Sequence, residues 1–247
     1  MYKKKIGNSF NKAANKYEKY AILQKISGKI LMSKIKIPKN KFILDAGCGT
    51  GLFSLKLLNI GNTIVALDLS KSMLNQAKKN KTANYYIQGD IEHLPLLNNT
   101  FHICWSNLSL QWCSDFSKAI LELYRVTKLG GKIVFSTIGN GSLLELKNTW
   151  SLLDNFDHVN DFLSVKDIVN SCSMGKLKIY EKYIQLTFPN IKEALLSIKC
   201  TGANYIKKNR KKNMLTRKDM IFLESNWPKN NNGYILSYNL IFGIIVL

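Results

Sequence analysis

Between residues 42 and 138, short apolar runs alternate with segments of helical spacing. Ile43-Leu44-Asp45-Ala46, Thr63–Asp68, Asn84–Ile91, Phe101–Asn107 and Ile133–Thr137 read as strands. Leu52–Leu58, Ser70–Lys79 and Ser117–Lys128 read as helices between them, with Ser70 placed as an N-cap and Leu129–Lys132 as a turn. Strand and helix in strict alternation call for a parallel sheet covered on both faces, hence an α/β fold. Upstream, residues 8–35 read as helical: Phe10, Ala13, Ala14 and Tyr17 fall at i, i+3, i+4, i+7, and Leu23, Ile26 and Ile30 continue the face with some drift. Pro38 and Asn40 close that segment. Downstream, residues 142–173 suggest two short helices, Ile179–Phe188 a strand, 191–206 and 216–226 helices, and Ile235–Val246 a last strand. Asn230–Asn232 reads as a loop. The chain thus divides into a helical cap (1–40), an alternating core (41–140) and a substrate-side remainder of the same domain (141–247).

Composition changes this picture little. A length of 247 residues with 46% hydrophobic content suits one domain with an insertion. The charge is more telling: 36 Lys+Arg stand against 16 Asp+Glu, a net +20. That excess favours an acidic partner, or it reflects a chain rich in Lys, Asn and Ile throughout. The densest basic cluster after the start is Lys207, Lys208, Arg210, Lys211 and Lys212. Five scattered cysteines without a C-x-x-C pair read as reduced thiols, and His93, His102 and His158 have no ligand spacing, so no metal is expected. No signal-peptide core follows the basic Met1–Lys5, and the apolar run 234–247 is shorter than the roughly 20 residues that span a bilayer.

The candidate chemistry lies at the first strand–helix turn. Gly47, Gly49 and Gly51 give G-x-G-x-G, whereas the dinucleotide fingerprint is G-x-G-x-x-G, and no Lys-Ser/Thr pair follows as in a phosphate-binding loop. Asp45 stands at the strand end, where open α/β sheets bind ligands; a carboxylate there suits a cationic amino group better than a phosphate. Asp68 ends the second strand, 19 residues after Gly49, placed to accept hydrogen bonds from ribose hydroxyls.

Asp45-Ala46-Gly47-Cys48-Gly49-Thr50-Gly51 resembles motif I of the class I S-adenosylmethionine-dependent methyltransferases. The likeness narrows at Ser106-Asn107-Leu108-Ser109-Leu110-Gln111-Trp112, which is similar to the S-N-L-x-x-Q-W segment of the malonyl-[acyl-carrier protein] O-methyltransferases of biotin synthesis. Phe10, Ala13-Ala14, Tyr17 and Leu23-Gln24 fit the same family, as do Ile198-Lys199, Gly202-Ala203-Asn204, Leu215-Thr216-Arg217 and the final Leu236-Ser237-Tyr238 with Ile241-Phe242-Gly243. His102, where the family has an acid, and Leu129, where it has Pro, depart from the pattern at a strand start and a remote turn.

The resemblance implies a Rossmann-like class I methyltransferase sheet, mostly parallel with its last strand antiparallel, helices on both faces and a helical cap. It implies S-adenosyl-L-methionine as cofactor and S-adenosyl-L-homocysteine as product. Asp45, Gly47, Gly49 and Gly51 would hold the methionine part, Asp68 and Leu69 the ribose, and Asp90 and Ile91 the adenine, with Asn107 at the mouth of the fourth strand. It further implies a cytoplasmic enzyme whose partner is acyl-carrier protein bearing a malonyl thioester, with no stable nucleic acid and no membrane. Capping the malonyl carboxylate as its methyl ester would let fatty-acid enzymes elongate it.

Such a reaction makes modest demands. A carboxylic acid has a pKa of about 4, so the nucleophile is already ionised and needs no general base. In-line alignment and a dry site remain to be supplied. Tyr17 and Trp112 are the candidate walls, with core packing as their alternative role. Lys199, Arg210 and Arg217 are the candidate substrate cations; besides Arg125 the chain has no other arginine, and a retained Arg suits bidentate contact. A methyltransferase acting on another small acid or a quinone precursor would share the cofactor half. A basic nucleic-acid-binding protein on the same scaffold, or a decayed fold, are the readings of other classes.

Overall fold

Ile43, Leu44 and Ala46 are fully buried, as a strand covered on both faces requires. The computed structural model describes residues 2–203, 206 and 215–247. Their strands are β1 (Phe42–Ala46), β2 (Thr63–Asp68), β3 (Tyr85–Gln88), β4 (Phe101–Asn107), β5 (Thr127–Ile138), β6 (Lys176–Phe188), β7 (Lys229–Asn230) and β8 (Gly233–Val246). They form one sheet in the order β3-β2-β1-β4-β5-β8-β6, with β7 paired to β8. The first five run parallel; β8 lies antiparallel between β5 and β6.

The helices are α1 (Tyr2–Ala13), α2 (Tyr17–Tyr20), α3 (Ile22–Ser33), α4 (Leu52–Asn59), α5 (Lys71–Lys79), α6 (Phe116–Val126), α7 (Leu144–Ser151), α8 (Val165–Asn170), α9 (Ile191–Lys199) and α10 (Arg217–Asn226). Alternate strand residues feed two cores. Ile43, Ile64, Ile103 and Trp105 pack with α3 and α4 on one face. Leu44, Val65, Cys104 and Ile133 pack with α6 on the other. No helix among the described residues is long and apolar enough to cross a membrane.

Four local expectations change. The segment 8–35 is not one helical run but three helices, because its apolar face changes partner: Phe10, Ala13, Ala14 and Tyr17 gather around Met73, whereas Leu23 and Leu31 join the sheet core. The drift in the periodicity marks that change. Leu129-Gly130-Gly131 does not precede β5 but lies inside it, where the pairing with β4 shifts register and the Gly130 N–H reaches the Leu247 carbonyl at 3.0 Å. The helix expected over 191–206 ends at Lys199, and the third strand ends at Gln88. The N-cap at Ser70 is present: its hydroxyl accepts from the Met73 N–H at 3.2 Å. His102 fills the position of the missing acid by accepting the Phe42 N–H at its Nδ1, 3.1 Å away.

Packing across β5 and β8 has little slack. Gly243 pairs with Phe135, and a Cβ on Gly243 would lie 2.1 Å from the Phe135 ring. Gly243→Ala should therefore destabilise the fold by about 1–3 kcal/mol, the usual cost of overpacking. Denaturant unfolding checks this; a neutral or stabilising result would mean that the ring has room to move.

Candidate functional site

The glycine turn is built from the ends of β1 and β2. The N–H groups of Gly47 and Cys48 donate to the Leu67 carbonyl at 2.7 and 3.0 Å. The Asp68 carboxylate then ties both segments together: Oδ2 accepts from the Gly49 N–H and Oδ1 from the Ser70 N–H, each at 2.8 Å. Burial pushes the Asp68 carboxyl above its ordinary pKa, opposed by the N–H groups of Ser70, Gly49 and Leu69. Each oxygen retains lone-pair capacity toward the pocket beside it. Gly47 needs its φ of +79° and its lack of Cβ, since that atom would sit 2.1 Å from Ser109 Oγ.

A pocket opens over this turn. Gly47, Gly49, Asp68 and Leu69 form its floor, Asp90 and Ile91 one end, and Asn107 and Trp112 the other. Tyr17 closes it from above with Phe10 and Ile6. The Tyr17 hydroxyl is held protonated, first by burial and then by the charges of Asp68, Glu18 and Cys48. Gly51 is not brought to the pocket. Its absent Cβ faces Thr82, whose Oγ1 would be 2.0 Å away, so this glycine serves close packing behind the turn. Asn107 reaches the pocket, but its side chain is engaged elsewhere: Nδ2 donates to the Gln24 carbonyl at 3.1 Å and Oδ1 accepts from Ser136 Oγ at 2.8 Å.

Sequence reading missed Lys3. This residue projects from α1 and pairs with both Asp90 and Glu92 at the far end of the pocket. Burial works against its charge, but the two carboxylates outweigh that and raise its pKa. Glu92 is 3% exposed and also accepts the N–H groups of Ser114 and Asp115 at 3.0 and 2.9 Å. In the sequence Lys3 cannot be told from Lys4 and Lys5; only its i, i+3, i+7 spacing with Ile6 and Phe10 marks it.

A second cavity meets the first at Phe10, Tyr17, Leu108 and Trp112. It continues between Ile138, Leu146, Ile198, Tyr238 and His158. The His158 ring stacks on Trp150 at 3.8 Å between centroids, and its Nε2 lies 2.9 Å from Asp154 Oδ1. Lys199 and Arg217 are exposed on α9 and α10 and line neither cavity. Arg210 and its neighbouring lysines lie outside the described residues.

Asp45 borders a small recess beside the pocket, with Gly47, Asn107, Gln24 and Trp105. It is 2% exposed and accepts from Ser54 Oγ at 2.5 Å. Burial raises its pKa to about 7, with Ser54 opposing and Asp68 adding to the rise. Two residues lining the same recess carry buried polar atoms, Gln24 Oε1 and Trp105 Nε1, that have no hydrogen-bond partner among the described residues. The donor set therefore fits a nucleoside carrying an amino-acid group: a carboxylate and apolar walls on one side, orphaned polar atoms and a buried acid on the other. Among the described residues no cluster of three or more His, Cys, Asp or Glu could hold a metal ion.

The Asp45 shift has a stability consequence. With a folded pKa above the unfolded one, the fold holds a proton that the unfolded chain has released. The ligand-free protein should thus lose stability as pH rises from about 4 to about 7, the loss being complete above that window. Asp45→Asn should flatten this dependence and raise stability at pH 8 by on the order of a few kcal/mol. Thermal melts across pH check it, and an unchanged profile would remove Asp45 as the cause.

Comparison with known proteins bears on all of this. The family described as Methyltransferase domain matches residues 44–135. Malonyl-[acyl-carrier protein] O-methyltransferase of Buchnera aphidicola subsp. Baizongia pistaciae is 50% identical over 245 residues, covering 99% of both chains. The protein of the same name from Erwinia billingiae is 41% identical, covering 98% of this chain and 97% of its own. Among solved structures, a Bacillus halodurans protein described as a candidate methyltransferase superposes with a TM-score of 0.61 at 16% identity, covering 88% of this chain and 97% of that one, which bears on the fold alone. The chain belongs to the malonyl-[acyl-carrier protein] O-methyltransferase family, a family of S-adenosylmethionine-dependent methyltransferases.

Proposed function

We propose that the protein transfers a methyl group from S-adenosylmethionine to the free carboxyl of a malonyl thioester on acyl-carrier protein, releasing the methyl ester and S-adenosylhomocysteine, at an early step of biotin synthesis. The observation that carries this reading is the junction of the two cavities, where Phe10, Tyr17, Leu108 and Trp112 are common walls. The names of the full-length relatives supply the substrate.

The cofactor supplies an electrophilic methyl group when bound. In this reading Asp68 and Leu69 hold its ribose, Asp90 and Ile91 its adenine, and Gly47, Gly49 and Asp45 its amino-acid part. Gly51 supports the turn from behind. Tyr17 and Trp112 keep water from the junction. Trp112 is braced by Phe10, edge to face at 5.5 Å between centroids. An anionic carboxylate and a cationic methyl donor partly neutralise one another as they react, so excluding water favours the merging charges. The substrate carboxylate arrives ionised, which leaves orientation as the protein's task. Lys199 and Arg217, both exposed, are assigned to meeting the acidic carrier protein, with Arg210 joining them on the ground of its sequence alone. We take the reaction to be cytoplasmic, in keeping with five cysteines that are all free of disulfides.

Methyl transfer from labelled S-adenosylmethionine, with malonyl-carrier protein, malonyl-coenzyme A and bulk RNA compared in parallel, tests the substrate. Label on the malonyl carboxyl, strongest with the carrier protein, is expected; label on neither thioester would overturn the assignment. Asp68→Ala should weaken S-adenosylhomocysteine binding by about 1–3 kcal/mol, the cost of losing hydrogen bonds to a charged group. Equal calorimetric affinity in that variant and the wild type would remove Asp68 from the cofactor site.

A further inference from the structure

We propose that Gln24 and Trp105 recognise the amino-acid end of the cofactor; this rests on the cofactor reading given above. Trp105 is 0% exposed, and its indole N–H has no acceptor among the described residues. Gln24 Oε1 is buried and has no donor among the same residues. Unpaired polar atoms are costly in an interior, and two bordering one recess point to a ligand that supplies both partners.

The surroundings specify that ligand. Trp105 on β4 is the register partner of Asp45 on β1, so the two side chains share one face of the sheet. Phe53 stacks on the indole at 5.9 Å between centroids, with an interplanar angle of 30°, which orients its N–H. Helix α3, which carries Gln24, is pinned to the sheet at two points. Asn107 donates to the Gln24 carbonyl, and Ser27 Oγ donates to Ser136 Oγ at 2.9 Å. The recess therefore offers one fixed N–H donor from Trp105 and two acceptors, Gln24 Oε1 and the Asp45 carboxylate. Its other acid, Glu18, is occupied by Thr50 and by Lys25 at 3.5 Å. A group with an ammonium and a carboxylate on one carbon satisfies this set: the carboxylate takes the indole N–H, and the ammonium donates to Gln24 and Asp45. A phosphate would meet two acceptors, one of them a carboxylate, and a plain hydrocarbon would leave both orphans unpaired.

The test compares two ligands that differ only at that end. S-Adenosylhomocysteine and 5′-methylthioadenosine share the thioether nucleoside, and the second lacks the amino-acid group. Both are titrated calorimetrically into the wild type, Trp105→Phe and Gln24→Met. Each variant should lose on the order of tenfold in S-adenosylhomocysteine affinity, the effect of one hydrogen bond to a charged group, while 5′-methylthioadenosine binds as before. Unchanged S-adenosylhomocysteine affinity, or an equal loss for both ligands in a folded variant, would overturn the assignment. Should Trp105→Phe fail to fold, Gln24→Met on the partly exposed α3 position decides by itself. A wild type that binds neither ligand would overturn the cofactor reading instead.

Discussion

The site hangs on one carboxylate. Asp68 ends β2, yet its two oxygens are taken by N–H groups from opposite sides of it, Gly49 in the turn after β1 and Ser70 at the cap of α5. Without that clamp the glycine turn would be anchored mainly by backbone bonds to Leu67, and the cap of α5 would rest on Asn11, whose Oδ1 accepts from Ser70 Oγ and the Ser72 N–H. Holding an acid in a half-buried position is unfavourable by itself. The two N–H bonds offset the cost and leave lone-pair capacity at the neighbouring pocket. One group thus sets both the shape of the turn and its polarity, and the neighbouring pocket takes its floor from it.

Around this rigid floor the protein arranges softer walls. Ile6 and Phe10 come from α1 and Tyr17 from α2, elements that pack on α5 and α9 rather than on the sheet. The ion pairs of Lys3 with Asp90 and Glu92 join this cover to the loop after β3. Attraction between partly buried charges falls only modestly with added salt, so the cover is held more firmly than surface lysines would hold it.

Much of the scaffold was legible because each strand of the core is short, apolar and bounded by turn residues. Thr63–Asp68 and Phe101–Asn107 are observed with the bounds their periodicity predicts. Floor residues were legible for another reason: a glycine turn between a strand and a helix leaves few places for Gly47, Gly49 and Asp68 to be. Other features were hidden because they depend on partners distant in the chain. Gly51 matches the motif by spacing, but its neighbour is Thr82, which no local pattern links to it. Asn107 sits at the strand mouth as expected, but Gln24 and Ser136 claim its side chain. Trp105 reads as one more apolar strand residue; only its missing acceptor distinguishes it.

The position of β8 carries a consequence for synthesis. This strand is the last in chain order among those described, yet it lies inside the sheet, and β6 has β8 as its neighbour. While the ribosome is still adding residues, every residue that lines the first pocket, through Cys113, has already been made. The second cavity, which needs Tyr238, is closed only when β8 slots between β5 and β6. A nascent chain therefore passes through an interval in which all the residues of the first pocket exist and the β5 edge is open. Until then, β6 is an unpaired strand alternating lysine with apolar residues, and its charges guard it against pairing with other chains.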